Sequence, residues 1–165
     1  MTSLLKQENL RIKITSKTKG VVLNIDEYIS ETDILNSLAY ELTQNDCDIV
    51  LLQKSKKYSE KEYFSIASKV RVLVSEFSAT LILEGQCLMA NLLNVDGILL
   101  SEDDLPVDLL KDFLPENCII GWYNLSDSTE ILKEAEFLLL NDSNKSKPSS
   151  FPTFLKQDRF LIKHK

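Results

Sequence analysis

Short uninterrupted apolar runs alternate along the chain with longer stretches in which apolar residues recur every three or four positions. Val21-Val22-Leu23 is the first run. Between Ser30 and Gln44, Ile34, Leu35, Leu38, Ala39 and Leu42 share one face, the spacing of an amphipathic helix. Asp48–Leu52 (DIVLL) is a second apolar run. Ser59-Glu60-Lys61-Glu62 reads as a capping box: the Ser hydroxyl accepts from the amide three residues on, and the Glu carboxylate reaches back. The helix it opens carries Tyr63, Ile66, Ala67, Val70, Leu73, Val74 and Phe77 on one stripe. The pattern then predicts a strand at Thr80–Leu83, a short helix at Gln86–Asn94 and a strand at Gly97–Leu100. A helix opened by Pro106 follows, then a strand at Cys118–Gly121, a helix at Ser126–Ala135 and a strand at Glu136–Leu140 (EFLLL). Strand starts therefore fall near 21, 48, 80, 97, 118 and 136. Continuous apolar strands between amphipathic helices predict a parallel sheet covered by helices.

The ends of the chain read differently. Leu10–Ile14 (LRIKI) alternates like an edge strand, and Asn141–Pro152 (NDSNKSKPSSFP) is a polar, Pro/Ser-rich loop or linker. Residues 143–165 hold six basic residues and one acid, leaving 13 basic against 24 acidic in residues 1–142. The division expected is a β/α domain over 1–140 and a polar basic tail over 141–165, with Arg159–Lys163 (RFLIK) as a docked strand. A solvated terminus and a segment that binds an anionic partner are both compatible with this tail.

At 165 residues the chain is the size of one domain, and 44% hydrophobic with 27% charged residues is a globular mix. A disordered tail, a fibre and a membrane bundle are excluded. The net charge of −6 argues against a general nucleic-acid coat. No run is long enough to span a bilayer, and MTSLLKQENLRIK lacks a signal peptide's charged start and long apolar stretch. A cytoplasmic protein with neither membrane nor nucleic acid as partner is expected. Cys47, Cys87 and Cys118 form no CxxC pair, and their odd number argues against a disulfide framework. The single histidine, His164, stands beside the C-terminus, which disfavours histidine acid–base chemistry and a His-rich metal site.

Within this frame, Asp96-Gly97-Ile98-Leu99-Leu100-Ser101-Glu102-Asp103-Asp104-Leu105-Pro106 resembles the "dGvHLGqeDLP" signature of the thiamine phosphate synthase/TenI family. Lys54-Ser55-Lys56-Lys57-Tyr58-Ser59 resembles the end of that family's "QLRxKdls" strand and loop, and Ile119-Ile120-Gly121 its "iiGvS" strand. The resemblance covers about residues 20 to 140. It implies a (β/α)8 barrel with its site at the C-terminal ends of the strands. It also implies a transferase that joins a pyrimidine diphosphate to a thiazole phosphate with Mg2+, releasing diphosphate. The TenI relatives instead tautomerise a thiazole carboxylate phosphate with a histidine.

Carried across residue by residue, the family's Gln-x-Arg-x-Lys falls on Leu52, Lys54 and Lys56, so Lys54 and Lys56 are the candidate diphosphate ligands. A metal-type Asp falls on Asp104. The family's other metal-type Asp falls on Gly85, which leaves neighbouring Glu84 as the partner carboxylate for Mg2+. The TenI histidine has no counterpart near Leu125. The chain has four Gly and none after Gly121, so the Gly-rich phosphate cup of the family's last two β-α units is missing; Ser143, Lys145, Ser146 and Lys147 offer a makeshift anion site. Each candidate has a plainer reading. Glu102, Asp103 and Asp104 could cap the next helix, and Lys54, Lys56 and Lys57 could be a solvated basic loop. Trp122 and Tyr123 could wall a ring ligand or plug space left by absent strands, and Cys87 and Cys118 read as small buried apolar residues.

The resulting expectation is a truncated TIM-barrel-like α/β fold of about six parallel strands with helices outside. Its exposed sheet edges would be covered by LRIKI and RFLIK or paired between chains in a homodimer. Two functions follow from the resemblance. One is a thiamine phosphate synthase-like protein with impaired or absent turnover, binding thiazole phosphate or pyrimidine diphosphate. The other is a non-catalytic ligand-binding or protein-interaction scaffold derived from that fold.

Overall fold

The computed structural model describes residues 19–101, 104, 107–116 and 118–123, together with the backbone of three strands at 137–140, 153–157 and 160–163. Strands β1 (Lys19–Leu23), β2 (Ile49–Leu52), β3 (Thr80–Glu84), β4 (Gly97–Leu100), β5 (Ile119–Tyr123), β6 (Phe137–Leu140), β7 (Thr153–Gln157) and β8 (Phe160–Lys163) form a closed barrel in chain order. Successive strands from β1 to β7 pair in parallel, whereas β8 pairs antiparallel with both β7 and β1. Four helices are described: α1 (Glu31–Gln44), α2 (Glu60–Glu76), α3 (Cys87–Leu93) and α4 (Val107–Leu110). No described helix is long and apolar enough to cross a membrane.

The helices begin where local chemistry dictates. The Ser30 hydroxyl accepts from the Asp33 amide at the start of α1, and both halves of the Ser59/Glu62 capping box form at the start of α2. Of the helix expected after Pro106, the described residues hold four, Val107–Leu110.

Alternation along the strands divides the apolar residues into two sets. Val22, Ile49, Leu51, Ile82, Leu99 and Ile119 form one buried cluster inside the barrel. Their neighbours, among them Leu23, Val50, Leu52, Leu81, Leu83, Ile98, Leu100 and Trp122, pack with Ile34, Leu38, Tyr63, Ile66, Val70 and Val74 of α1 and α2. Trp122 is therefore neither a ligand wall nor a barrel plug, since it lies in the layer between sheet and helices. Cys118 belongs to the same cluster.

Closure departs from the expected six-stranded sheet. Twelve residues separate Leu140 from Thr153, about what a parallel crossover needs. Only two separate Gln157 from Phe160, so β8 has to turn back as a hairpin. The 25 residues after Leu140 thus complete the ring with one parallel and one antiparallel strand instead of two β-α units. Phe160–Lys163, within the expected RFLIK, pairs along β1, and the preceding TFLKQ is a strand that the apolar pattern did not mark. The described barrel leaves no open sheet edge, so edge-to-edge pairing is not a route to a homodimer. LRIKI, the helix expected over 126–135, and the 141–152 loop with its candidate anion site lie outside the described residues.

The N-terminal end of the barrel is held by the Asp-Gly pair of the signature. Asp96 Oδ2 accepts from the Leu81 amide at 2.9 Å and from Arg71 of α2 at 3.2 Å, tying helix to strands. A Cβ on Gly97 would lie 2.9 Å from Ile119 Cγ1 and 3.2 Å from Ile82 Cγ1, with the Ile119 carbonyl at 3.3 Å. Both isoleucines belong to the packed interior, so neither yields easily. Gly97→Ala is expected to cost about 1–3 kcal/mol. The check is a lower urea midpoint with an unchanged denaturant slope.

Candidate functional site

The C-terminal ends of β1 to β4 present the loops that carry most of the candidate chemistry. The β1 loop begins with Asn24, whose side chain accepts from the Asp26 amide at 3.1 Å and opens a short 3-10 turn over Ile25–Glu27. Asp26 then reaches across to the loop after β2. It accepts from Ser55 Oγ at 2.5 Å and from the Lys56 amide at 2.7 Å. Ser55 Oγ in turn accepts from the Lys57 and Tyr58 amides at 3.2 and 3.0 Å. Burial pushes the Asp26 carboxyl up, but the hydrogen bonds from Ser55, Lys56 and Lys57 and the charge of Lys57 together outweigh it and hold the group below 3.8.

This clamp decides where the lysines go. Lys56 is exposed, and its backbone amide, not its ammonium, is the group held. Lys57 Nζ donates to the Tyr28 carbonyl at 3.4 Å and lies 5.4 Å from the Tyr58 ring centroid, on the β1 side. Lys54 turns the other way, toward the loops after β3 and β4. Its ammonium is 3.9 Å from Asp104 Oδ1.

Lys54 meets Asp104 across a glycine. Gly85 has φ +63°, and Gln86 after it also has a positive φ, 53°. The first suits glycine, and the second is a strained backbone in a loop at the barrel mouth. A Cβ on Gly85 would stand 2.4 Å from Lys54 Cε, 3.0 Å from Lys54 Nζ and 3.4 Å from Asp104 Oδ1. The lysine stem therefore lies directly on the bare α-carbon. Asp104 is fixed from its other oxygen: Oδ2 accepts from the Ser101 amide at 2.8 Å and from the Ser101 hydroxyl at 3.3 Å.

Glu84 precedes Gly85 at the end of β3 and shares the strand face of Ile82, so it stands above the interior cluster at the mouth. Below the rim, Tyr63 of α2 is buried and its hydroxyl donates to the Gln53 carbonyl at 3.1 Å. Burial, with the charges of Glu84 and Asp26 added, raises its pKa. Cys87 opens α3 beside this group. Burial raises its pKa and Asp104 adds to the shift, against the opposing charge of Lys54, so it is no ready thiolate. Burial likewise pushes Cys47 up to about 11.

Of the four candidates from the sequence, the fold thus joins Lys54 and Asp104 and sets Glu84 on the same rim. It leaves Lys56 in the clamped loop. Asp26, Ser55 and Ser101 were not singled out by sequence reasoning. Asp26 and Ser55 are 29 residues apart, and no local motif announces such a contact. The Mg2+ implied by the family resemblance needs several fixed oxygens. Asp104 has one oxygen committed to Ser101 and the other turned to an ammonium. Among the described residues, no three His, Cys, Asp or Glu side chains gather into a group that could hold a metal.

The clamp makes a pH-dependent prediction. Because the folded pKa of Asp26 is depressed, its contribution is fully present above the unfolded value and is lost as pH falls through the folded one. Asp26→Asn is expected to cost about 1 kcal/mol at neutral pH. The gap between variant and parent should close below the ordinary carboxylate value of 3.8. Chemical denaturation of both proteins across the acid range measures it.

Comparison with known proteins agrees with this architecture. The thiamine monophosphate synthase (TMP-TENI) family model matches residues 21–143. The thiamine-phosphate synthase of Methanococcus maripaludis is 30% identical over 128 residues, covering 76% of this chain and 57% of the relative. That of Pyrococcus horikoshii is 30% identical over 110 residues, covering 65% and 49%. The chain thus spans about half the length of these curated relatives. Among solved structures, the thiamine phosphate pyrophosphorylase from Pyrococcus furiosus superposes with a TM-score of 0.60 at 21% identity, covering 74% of this chain and 58% of that one. Muconate lactonizing enzyme shares the fold more distantly, with a TM-score of 0.51 at 9% identity, covering 75% and 39%. With its β/α barrel and a family match over most of its length, the chain belongs to the thiamine monophosphate synthase/TenI family.

Proposed function

We propose that the protein binds a phosphorylated thiamine precursor, a thiazole phosphate or a pyrimidine diphosphate, at the C-terminal mouth of the barrel without joining the two. The Lys54–Gly85–Asp104 contact carries this reading. It keeps a half-exposed ammonium at the mouth, where a phosphate oxygen can reach it. It also has glycine, Gly85, at the position where the family resemblance places a metal-type carboxylate. Departure of diphosphate requires strong stabilisation of the charge on the leaving oxygens, commonly the largest catalytic contribution. One lysine, itself facing a carboxylate, supplies little of it. Family membership and curated relatives named thiamine-phosphate synthase support the ligand class. The reading makes the protein a cytoplasmic pseudoenzyme related to thiamine biosynthesis.

A second reading, a protein-interaction scaffold, is favoured by the outer surface. Leu88 and Leu92 of α3 are 73% and 75% exposed, and Leu109 of α4 and Phe113 just after it are also exposed. Leu88 and Leu92 are four residues apart and lie along one face of α3.

Incubation of the purified protein with both precursors and Mg2+, read by thiochrome fluorescence, tests the first reading. The expected result is no thiamine phosphate above the protein-free background, together with saturable binding of thiazole phosphate or the pyrimidine diphosphate by calorimetry. Product that disappears in Asp104→Ala would show a working synthase site and overturn the loss of turnover. Folded protein that binds neither precursor would leave the scaffold reading.

A further inference from the structure

We infer that the mouth holds its anion without a divalent cation, the Lys54 ammonium standing in the space that a metal and its second carboxylate would need. The inference deepens the reading of the mouth as a phosphate site and rests on it.

The geometry is specific to this chain. The stem of Lys54 occupies the volume directly above Gly85, because any Cβ there would meet Lys54 Cε at 2.4 Å. A carboxylate rising from position 85 and the lysine in its present place are mutually exclusive. The ammonium then lies 3.9 Å from Asp104 Oδ1, so the oxygen that could turn to a metal faces a positive charge instead. The other Asp104 oxygen is spent on Ser101. A divalent ion on Asp104 would sit against the Lys54 ammonium, and like charges at such range repel. An anion meets the opposite situation. The Lys54–Asp104 pair is long, and the lysine side chain is 44% exposed, so the ammonium can keep its place on Gly85 and still donate outward. Glu84 on the rim and Asp104 set the limit on affinity, since both oppose an anion.

The two metal-site arrangements differ in the sign of one substitution. If Asp104 only balances Lys54, removing its charge frees the ammonium and strengthens anion binding. If Asp104 holds a metal that bridges to the anion, the same change weakens binding. Inorganic pyrophosphate is the probe, titrated calorimetrically at low salt into the full chain, first with EDTA and then with excess Mg2+. Binding is expected in EDTA, with no gain from Mg2+. Lys54→Gln should lose about tenfold in affinity, the loss of one charge-assisted contact. Asp104→Asn should gain several-fold, with circular dichroism and thermal unfolding showing both variants folded.

Binding that appears only with Mg2+, or that Asp104→Asn abolishes, overturns the inference and returns Asp104 and Glu84 to metal ligation. Affinity unchanged in Lys54→Gln, or absence of binding in both buffers, overturns it as well. Failure of the proposed function looks different: pyrophosphate binds in EDTA as stated, while neither thiazole phosphate nor the pyrimidine diphosphate binds.

Discussion

A ring of strands has to satisfy its last edge, and here that constraint falls on β8. It bonds to β1 through Lys19–Val21 and to β7 through Phe154–Gln157, in both cases antiparallel. Without it, two rows of backbone donors and acceptors would face solvent or another chain. The two-residue connection from β7 leaves no other direction for the chain to take. Closure also encloses the interior side chains from Val22 to Ile119, because a sheet open between β7 and β1 would have no second wall to press them together. The rim at the C-terminal strand ends inherits its shape from this ring.

The two ends of the barrel then divide the work. At the N-terminal end, Asp96 ties α2 to β3, and Gly97 makes room for Ile82 and Ile119. At the C-terminal end, Asp26 clamps the loop after β2 and so parts the three lysines. Only Lys54 is left to cross toward β3 and β4. Ser101 fixes Asp104 from behind, and Gly85 provides the gap through which lysine and aspartate approach. Each contact is modest. Together they set a single ammonium at a defined place on the rim.

Which features were legible in the sequence follows from the range of the forces behind them. The first six strands, the Ser30 cap and the Ser59/Glu62 capping box come from neighbours a few residues apart, and periodicity exposes them. RFLIK was legible as a strand, but its partners were not, and Thr153–Gln157 (TFLKQ) follows a Pro/Ser-rich stretch with too few apolar residues to stand out. Trp122 illustrates parity: Ile120 and Trp122 alternate onto the helix side of β5, so an aromatic that seemed available to a ligand belongs to the outer core. Lys54 and Asp104 were legible through family resemblance, and Gly85 only as a mismatch. Its positive role, as space for a lysine from the preceding loop, depends on a three-dimensional approach that no local pattern encodes.

Family membership and chemistry therefore rest on different residues. The most specific stretch of the signature runs from Asp96 to Pro106, yet its first two residues act at the end of the barrel opposite the site. Leu99 and Leu100 fill the inner and outer cores. Among the described residues of that stretch, Ser101 and Asp104 alone reach the loop at the mouth. A sequence match over these positions consequently reports mainly that the barrel is built the same way. What faces Asp104 across the rim in this chain is the side chain of Lys54 lying on a glycine. A shared scaffold with a changed charge arrangement is the expected outcome when packing constrains one set of residues and ligand electrostatics another.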